Sequence, residues 1–287
     1  MLIFIAIAAI WNCCPTAAIA LSLGALYVLV RKLCASPRVA PKPASRKLDF
    51  EQDTVYLYQF ARVRNVACTS PFCLKIEVLC RAHRIPYEII VQRGARSRNG
   101  TLPFVELNGE HIADSDLIEH RLREHFNIPD LPEDQEARAT ALARLADNHL
   151  FHVLTRFKID SDEFWETIVI PGIVPSLFRR VLRFILKVFI TRKLYNRSKA
   201  AIGDFEWSEL KELLSRDLNA IRRQLGEQKF LFGDKISPVD ATVFAHLAAV
   251  YYRTRCHVSD VLETDFPTIL EYMERMRQEI FPNDFKL

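Results

Sequence analysis

Hydrophobic and polar residues follow three different rhythms along this 287-residue chain. Residues 2–30 hold no charged side chain: 2–10 is apolar, 11–16 dips, and 17–30 is apolar again. Between positions 55 and 113, apolar residues come in short runs bounded by turn formers. Residues 55–60 (VYLYQF), 86–91 (PYEIIV), 101–107 (TLPFVEL) and 110–113 (EHIA) read as strands, because β-branched and aromatic runs of this length suit a pleated, buried surface. Asn108-Gly109 between the last two is a two-residue hairpin turn. Ser70, with Pro71 behind it, opens a helix through Cys73, Ile76, Leu79 and Cys80, and 115–126 forms a shorter one. From Glu133 onward the period is helical, over 133–157, 174–195, 207–225, 238–252 and 266–281. The expected fold class is α+β: a sheet domain over 53–128, then an all-α domain over 129–287 that begins at the breaker Pro129-Asp130-Leu131-Pro132.

A helix through the uncharged segment would be about 45 Å long at ~1.5 Å per residue, enough to cross a bilayer. Pro15 would kink it or mark its start. Arg31, Lys32, Arg38, Lys42, Arg46 and Lys47 follow with no acid before Asp49, and a one-sided basic flank stays in the cytosol. The expectation is a transmembrane signal anchor at 1–32, in contact with the membrane through 2–30, followed by a Pro-rich linker at 33–52. The protein would then be single-pass with its body facing the cytosol, in a lysosomal, endoplasmic reticulum or mitochondrial outer membrane. A cleaved signal peptide is the main alternative, although the segment lacks a positive n-region. A buried core helix is the other.

Composition removes several function classes. A net charge of +4 is too small to imply nucleic acid, and none is expected as a partner. Seven scattered cysteines without a C-x-x-C pair suit a reducing compartment better than a disulfide framework. The histidines form no metal-binding spacing, so no metal is expected; His149 and His152 are a helical pair with no evident third ligand. Residues 167–203 carry eight bases and no acid, with apolar residues at helical spacing over 174–195. Such a helix suits contact with an anionic lipid surface, or one face packs internally while the bases stay solvated.

Four local signals then follow in chain order. Ser70-Pro71-Phe72-Cys73 opens the first helix just after the first strand. A helix start offers free N–H groups and positive potential, favouring an anion such as a thiolate by about 0.3–1 kcal/mol; the alternative for Ser70 is a plain N-cap. Thr101-Leu102-Pro103 precedes the third strand, where proline belongs because it cannot donate to a ladder. A cis bond there would turn the Leu102 N–H and C=O outward, whereas a trans one is the commoner state. Asp114-Ser115-Asp116 stands at a helix N-terminus, where carboxylates bind; capping alone is the alternative. Ser237-Pro238-Val239-Asp240 is a capping box with Asp240 in place of the usual Glu, a structural device.

Together with 55–60, 70–77 (SPFCLKIE), 102–109 (LPFVELNG), 112–116 (IADSD) and 230–244 (FLFGDKISPVDATVF), these signals make the chain resemble the failed-axon-connections family. That family includes the nematode cadmium-responsive proteins and is related to metaxins and, more distantly, to glutathione S-transferases. The resemblance runs over about four-fifths of the chain. It implies a thioredoxin-like domain over 53–128 and a glutathione S-transferase-like helical domain over 129–287. It implies glutathione as ligand or substrate, for transfer or thiol reduction in detoxification or cadmium and metal stress. Ser70 would be the catalytic residue facing the thiol, Leu102 with Pro103 would meet the cysteinyl backbone, and Asp114 with Ser115 would hold the γ-glutamyl end. Cys73 matches the second position of a glutaredoxin-type C-P-Y-C whose first cysteine is Ser70 here. That excludes a dithiol cycle and leaves Cys73 as a candidate single thiol, or as core beside Cys80. Residues 61–69 are longer than the short turn common in transferases, as they are in metaxins, which are mostly regarded as non-catalytic. The rival expectation is therefore a metaxin-like membrane scaffold or adaptor of the axon-development type. A second copy of the chain is the remaining candidate partner.

Overall fold

Val55–Gln59 (β1) is buried at every position, which places it in the middle of a sheet rather than at an edge. In this computed structural model it has Tyr87–Val91 (β2) on one side, parallel, and Phe104–Leu107 (β3) on the other, antiparallel. Glu110–Ala113 (β4) completes the order β2-β1-β3-β4. Pro71–Ala82 (α1) supplies the crossover that two parallel strands require. Asn108 and Gly109 both take positive φ, 51° and 78°, as the tight β3–β4 hairpin demands.

The structure describes residues 43–63, 65–92, 97–166, 176–253, 255–283 and 285, together with Gly24 and Tyr27. Residues 1–41 form one unit and residues 42–287 another. The expected anchor at 2–30 lies, apart from Gly24 and Tyr27, outside the described residues.

After Ser115–His125 (α2) comes one long rod: Glu133–Arg144 (α3), a π-helical stretch at Leu145–Leu150, and Phe151–Asp160 (α4). The sequence reads as a single α-helix there. The wider π turn replaces it because a stretch of i→i+5 bonds can be inserted without breaking the rod. Asp162–Glu166 (α5), Ser176–Ile202 (α6), Trp207–Leu225 (α7), Pro238–Tyr251 (α8), His257–Thr264 (α9) and Pro267–Ile280 (α10) follow. α8 is buried from Pro238 to Val250, as a helix apolar all round should be, and it packs against α1. α9 has too few apolar positions to show a period and exists by packing Val258, Val261 and Leu262 inward. α6 turns Ile190, Leu194 and Tyr195 toward Ile159, Phe164 and Trp165. Phe184, Ile185, Val188 and Phe189, from the stretch read as lipid-facing, are more than half exposed.

The expectation of a single-pass membrane protein is not upheld: among the described residues, no helix is both long and apolar enough to cross a membrane. α6, at 27 residues, has the length, but bases recur from Arg179 to Lys199. The linker expected at 33–52 is not loose at its end. Ser45 Oγ and the backbone N–H groups of Arg46 and Lys47 donate to the Glu106 carboxylate at 3.1, 2.8 and 2.9 Å.

The capping box at α8 is more than a helix start. Asp240, fully buried, accepts the Ser237 N–H at 2.8 Å, the Leu231 N–H at 2.9 Å and the Tyr272 hydroxyl at 3.1 Å. It thereby joins the 230–233 turn, α8 and α10 at one carboxylate. Asp240→Ala orphans those donors and is expected to cost about 3 kcal/mol, read as a lower urea midpoint at unchanged m-value.

Candidate functional site

Where α1 begins, Ser70 has extended backbone angles (φ −94°, ψ 119°), Pro71 takes the first helical position, and the Ser70 side chain makes no cap bond. Its hydroxyl is instead hydrogen-bonded to the Cys73 sulfur. This start opens onto a cleft of about 570 Å³. Its walls come from the loops after β1 and before β3, the N-terminus of α2, and the inner face of the π stretch and α4.

Ser70, Leu102, Pro103, Asp114 and Ser115 all line this cleft. The Leu102–Pro103 peptide is cis, and neither the N–H nor the C=O of Leu102 is used in a hydrogen bond among the described residues. Asp114 adopts φ 82°, a region that a non-glycine residue enters at a cost of about 1–3 kcal/mol. One of its carboxylate oxygens caps α2 through the Asp116 N–H at 3.1 Å. The other makes no hydrogen bond among the described residues. Ser237 and Asp240 lie outside this cleft.

Cys73 has no place in the lining, which favours its reading as core beside Cys80 over that as a single thiol. It is fully buried, and burial together with the hydrogen bond to Cys68 pushes its thiol well above the usual range. Cys68, equally buried, moves the other way because the Cys73 thiol and the N–H groups of Ser70 and Phe60 bond to its sulfur. Neither sulfur lines the cleft. From the 61–69 segment Thr69 lines the cleft, and Val66 and Ala67 are buried.

Beside Asp114 stands a charge cluster that periodicity does not reveal. Lys75 of α1 is 1% exposed, and its ammonium lies 3.0 Å from Asp116, 2.9 Å from Glu119 and 3.0 Å from Asp147. Burial alone would drive this amine toward its neutral form. The carboxylates of Glu119 and Asp147 outweigh it and hold the pKa above the usual lysine value. Asp116 also pairs with Arg144, and His246 Nε2 stands 3.5 Å from Asp147. The one signal in the sequence is a lysine inside the apolar run Cys73-Leu74-Lys75-Ile76.

The far end of the cleft is basic. Lys158 of α4 donates to the Thr69 carbonyl at 3.3 Å and lies 5.4 Å from the Phe164 ring centroid. Arg253 stands 4.7 Å from the same centroid. Lys158 reaches deep into the protein yet keeps surface open to the cleft. Burial, then repulsion from Arg253, pushes its pKa down to about 7. His152 is buried nearby with Ser198 Oγ at 3.3 Å. Burial and Arg197 push its pKa down to about 4, so it stays neutral at physiological pH. His149 is bonded to Asp217 at 2.7 Å. No group of three potential metal ligands occurs among the described residues.

Comparison with known proteins gives the class. The family described as "Glutathione S-transferase N-terminal domain" matches residues 71–164, and "Glutathione S-transferase, C-terminal domain" matches 214–276. The fold is shared with glutathione transferase GSTFuA3 from Phanerochaete chrysosporium, with a TM-score of 0.55 at 15% identity over 80% of this chain and 99% of that one. This is a glutathione S-transferase-like protein. Within that class the chain fits the failed axon connections and metaxin group. It is 29% identical to Failed axon connections of Drosophila melanogaster over 83% of its length, and 30% identical to Metaxin-1 of Mus musculus over 53%. It is also 25% identical to the isoprene-epoxide–glutathione S-transferase of Rhodococcus sp. (strain AD45), over 78% of this chain and 98% of that protein. The chain spans 60% of the length of the Drosophila relative and 51% of mouse metaxin-1.

Two outcomes test the electrostatics. Lys75→Met leaves Asp147 buried without its cation and is expected to destabilise the fold by roughly 3–5 kcal/mol, measured by urea unfolding. Lys158→Met removes an amine whose folded pKa lies below its unfolded value, so the charged form costs stability most fully below about pH 7. The variant is expected to melt higher than the parent at low pH. That gain shrinks as pH rises through about 7 toward the ordinary lysine value.

Proposed function

We propose that the cleft binds glutathione. The observation that carries this reading is the convergence of Ser70, Leu102-Pro103 and Asp114-Ser115 on one cleft from three separate stretches of chain. The γ-glutamyl ammonium meets the free carboxylate oxygen of Asp114, and its carboxylate meets the Ser115 end of α2, where the helix start favours negative charge. The cysteinyl backbone pairs with the unused N–H and C=O of Leu102. The thiol then faces the start of α1, where helix potential favours the thiolate and the Ser70 hydroxyl donates to it. To do so the hydroxyl turns away from the Cys73 sulfur, a change of one rotamer. A bound thiolate held in this way is a nucleophile at neutral pH, and the reaction proposed is its transfer to an electrophile.

A second reading is a non-catalytic, metaxin-like protein that uses the same cleft for docking. The likeness to Metaxin-1 and the longer segment between β1 and α1 support it.

Thermal-shift titration of the whole chain with glutathione, followed by conjugation assays on the parent and Ser70→Ala, separates the two. Glutathione at ~100 times its dissociation constant is expected to stabilise by about 2.7 kcal/mol. Ser70→Ala is expected to keep that shift and lose roughly 10²–10³-fold in turnover. A shift without turnover in the parent favours the docking reading, and no shift at all ends the glutathione reading.

A further inference from the structure

Cys68 and Cys73 bracket the start of α1, and each of the four residues between them, Thr69, Ser70, Pro71 and Phe72, lines the cleft. The two sulfurs are hydrogen-bonded to each other, and the Ser70 hydroxyl is bonded to the second of them. Both thiols are free and fully buried. Cys80, further along α1, is buried equally, and burial with the Glu77 charge drives its thiol far up. Cys68 sits in a different setting. Its sulfur accepts the N–H groups of Ser70 and Phe60 as well as the Cys73 thiol, against an opposing charge on Glu77. Its own charge acts on Lys158 and Arg253. A sulfur among N–H donors and cations is the environment in which a cysteine gains thiolate character and reactivity.

We infer that Cys68 and Cys73 are a redox pair: a small hydroperoxide oxidises Cys68, Cys73 closes the disulfide, and the closed ring takes Ser70 out of its working position. In the first step the Cys68 thiolate attacks one peroxide oxygen, the O–O bond breaks, and the hydroxide released takes up a proton as water. Cys68 is then a sulfenic acid, oxidised by two electrons. In the second step the Cys73 sulfur attacks the Cys68 sulfur, the S–O bond breaks, and hydroxide leaves with the Cys73 proton as water. Two thiols and one peroxide thus give one disulfide and two waters. Hydrogen peroxide is close to water in size, so local opening of the 61–69 segment is enough to admit it. A covalent bond draws the sulfurs closer than a hydrogen bond holds them, and residues 69–72 shift as the ring closes. Two external thiols reopen it by exchange, leaving as their own disulfide. The effect on Ser70 rests on the glutathione reading of the cleft; formation of the disulfide does not.

The test exposes the whole chain to hydrogen peroxide, unfolds it in excess iodoacetamide and digests it with trypsin. Residues 65–75 then form one peptide that carries Cys68 and Cys73 and no other cysteine. That peptide is expected to appear unalkylated and two hydrogen atoms lighter than its dithiol form. Dithiothreitol before the alkylation is expected to restore two alkylated thiols. Glutathione conjugation by the parent is expected to fall about 10²-fold as the lighter peptide accumulates, the scale of a misplaced reacting group, and to return with dithiothreitol. Cys68→Ala is expected to keep its turnover through the same exposure. A peptide that stays doubly alkylated, or that passes to sulfinic or sulfonic acid without the loss of two hydrogens, overturns the pair. Because the mass is read on the parent, this holds even where Cys68→Ala fails to fold. A disulfide that leaves conjugation unchanged, or an inactivation that persists in Cys68→Ala, overturns its effect on Ser70. Failure of the glutathione reading shows separately, as a disulfide that forms in a protein whose reduced state gives no glutathione shift.

Discussion

One buried ammonium holds the molecule's chemistry in place. Lys75 projects from α1, and the carboxylates around it come from α2 and from the π stretch between α3 and α4. Three helix segments from both halves of the fold therefore share a single cation. Bringing an amine out of water is costly, and the carboxylates of Glu119 and Asp147 outweigh that cost. The start of α1, which carries Ser70, and the start of α2, which carries Asp114 and Ser115, are thus held at a set spacing. α1 also packs against the buried helix α8.

From that spacing follows the polarity of the cleft. Lys75 and Arg144 stand with their carboxylates at one end, and Lys158, Arg197 and Arg253 line the other. Ser70, at the start of α1, lines the same cleft as the start of α2. The fold alone would not make this arrangement useful, since many chemistries share it. The contribution of this chain is the set of side chains it places around the cleft.

Much of this was legible in the chain before any coordinates. The strands at 55–59, 87–91, 104–107 and 110–113 announced themselves because buried strands need consecutive apolar residues, and the Asn108-Gly109 turn because few other pairs tolerate two positive φ values. Ser237 and Asp240 were readable because a capping box is local in sequence. Lys75, Asp147, Lys158 and Arg253 were not, since their meaning lies in partners tens of residues away. The π stretch was hidden because its hydrophobic pattern differs from an α-helix by a fraction of a turn. Of the two readings open for Cys73, single thiol or core, its burial favours the second: burial, with the bond to Cys68, raises the thiol's pKa despite the helix start.

That π stretch has a consequence for how the chain tolerates change. An α-helix turns about 100° per residue, and a π turn amounts to roughly one extra residue spliced into the rod. The azimuth of α4 relative to α3 is therefore indexed by a single position within 145–150. Losing one codon there would swing Phe151, His152 and Lys158 around the rod axis while leaving α3 as it stands. Length within this short stretch, more than the identity of any one side chain in it, is the quantity a functional descendant of this sequence has to conserve.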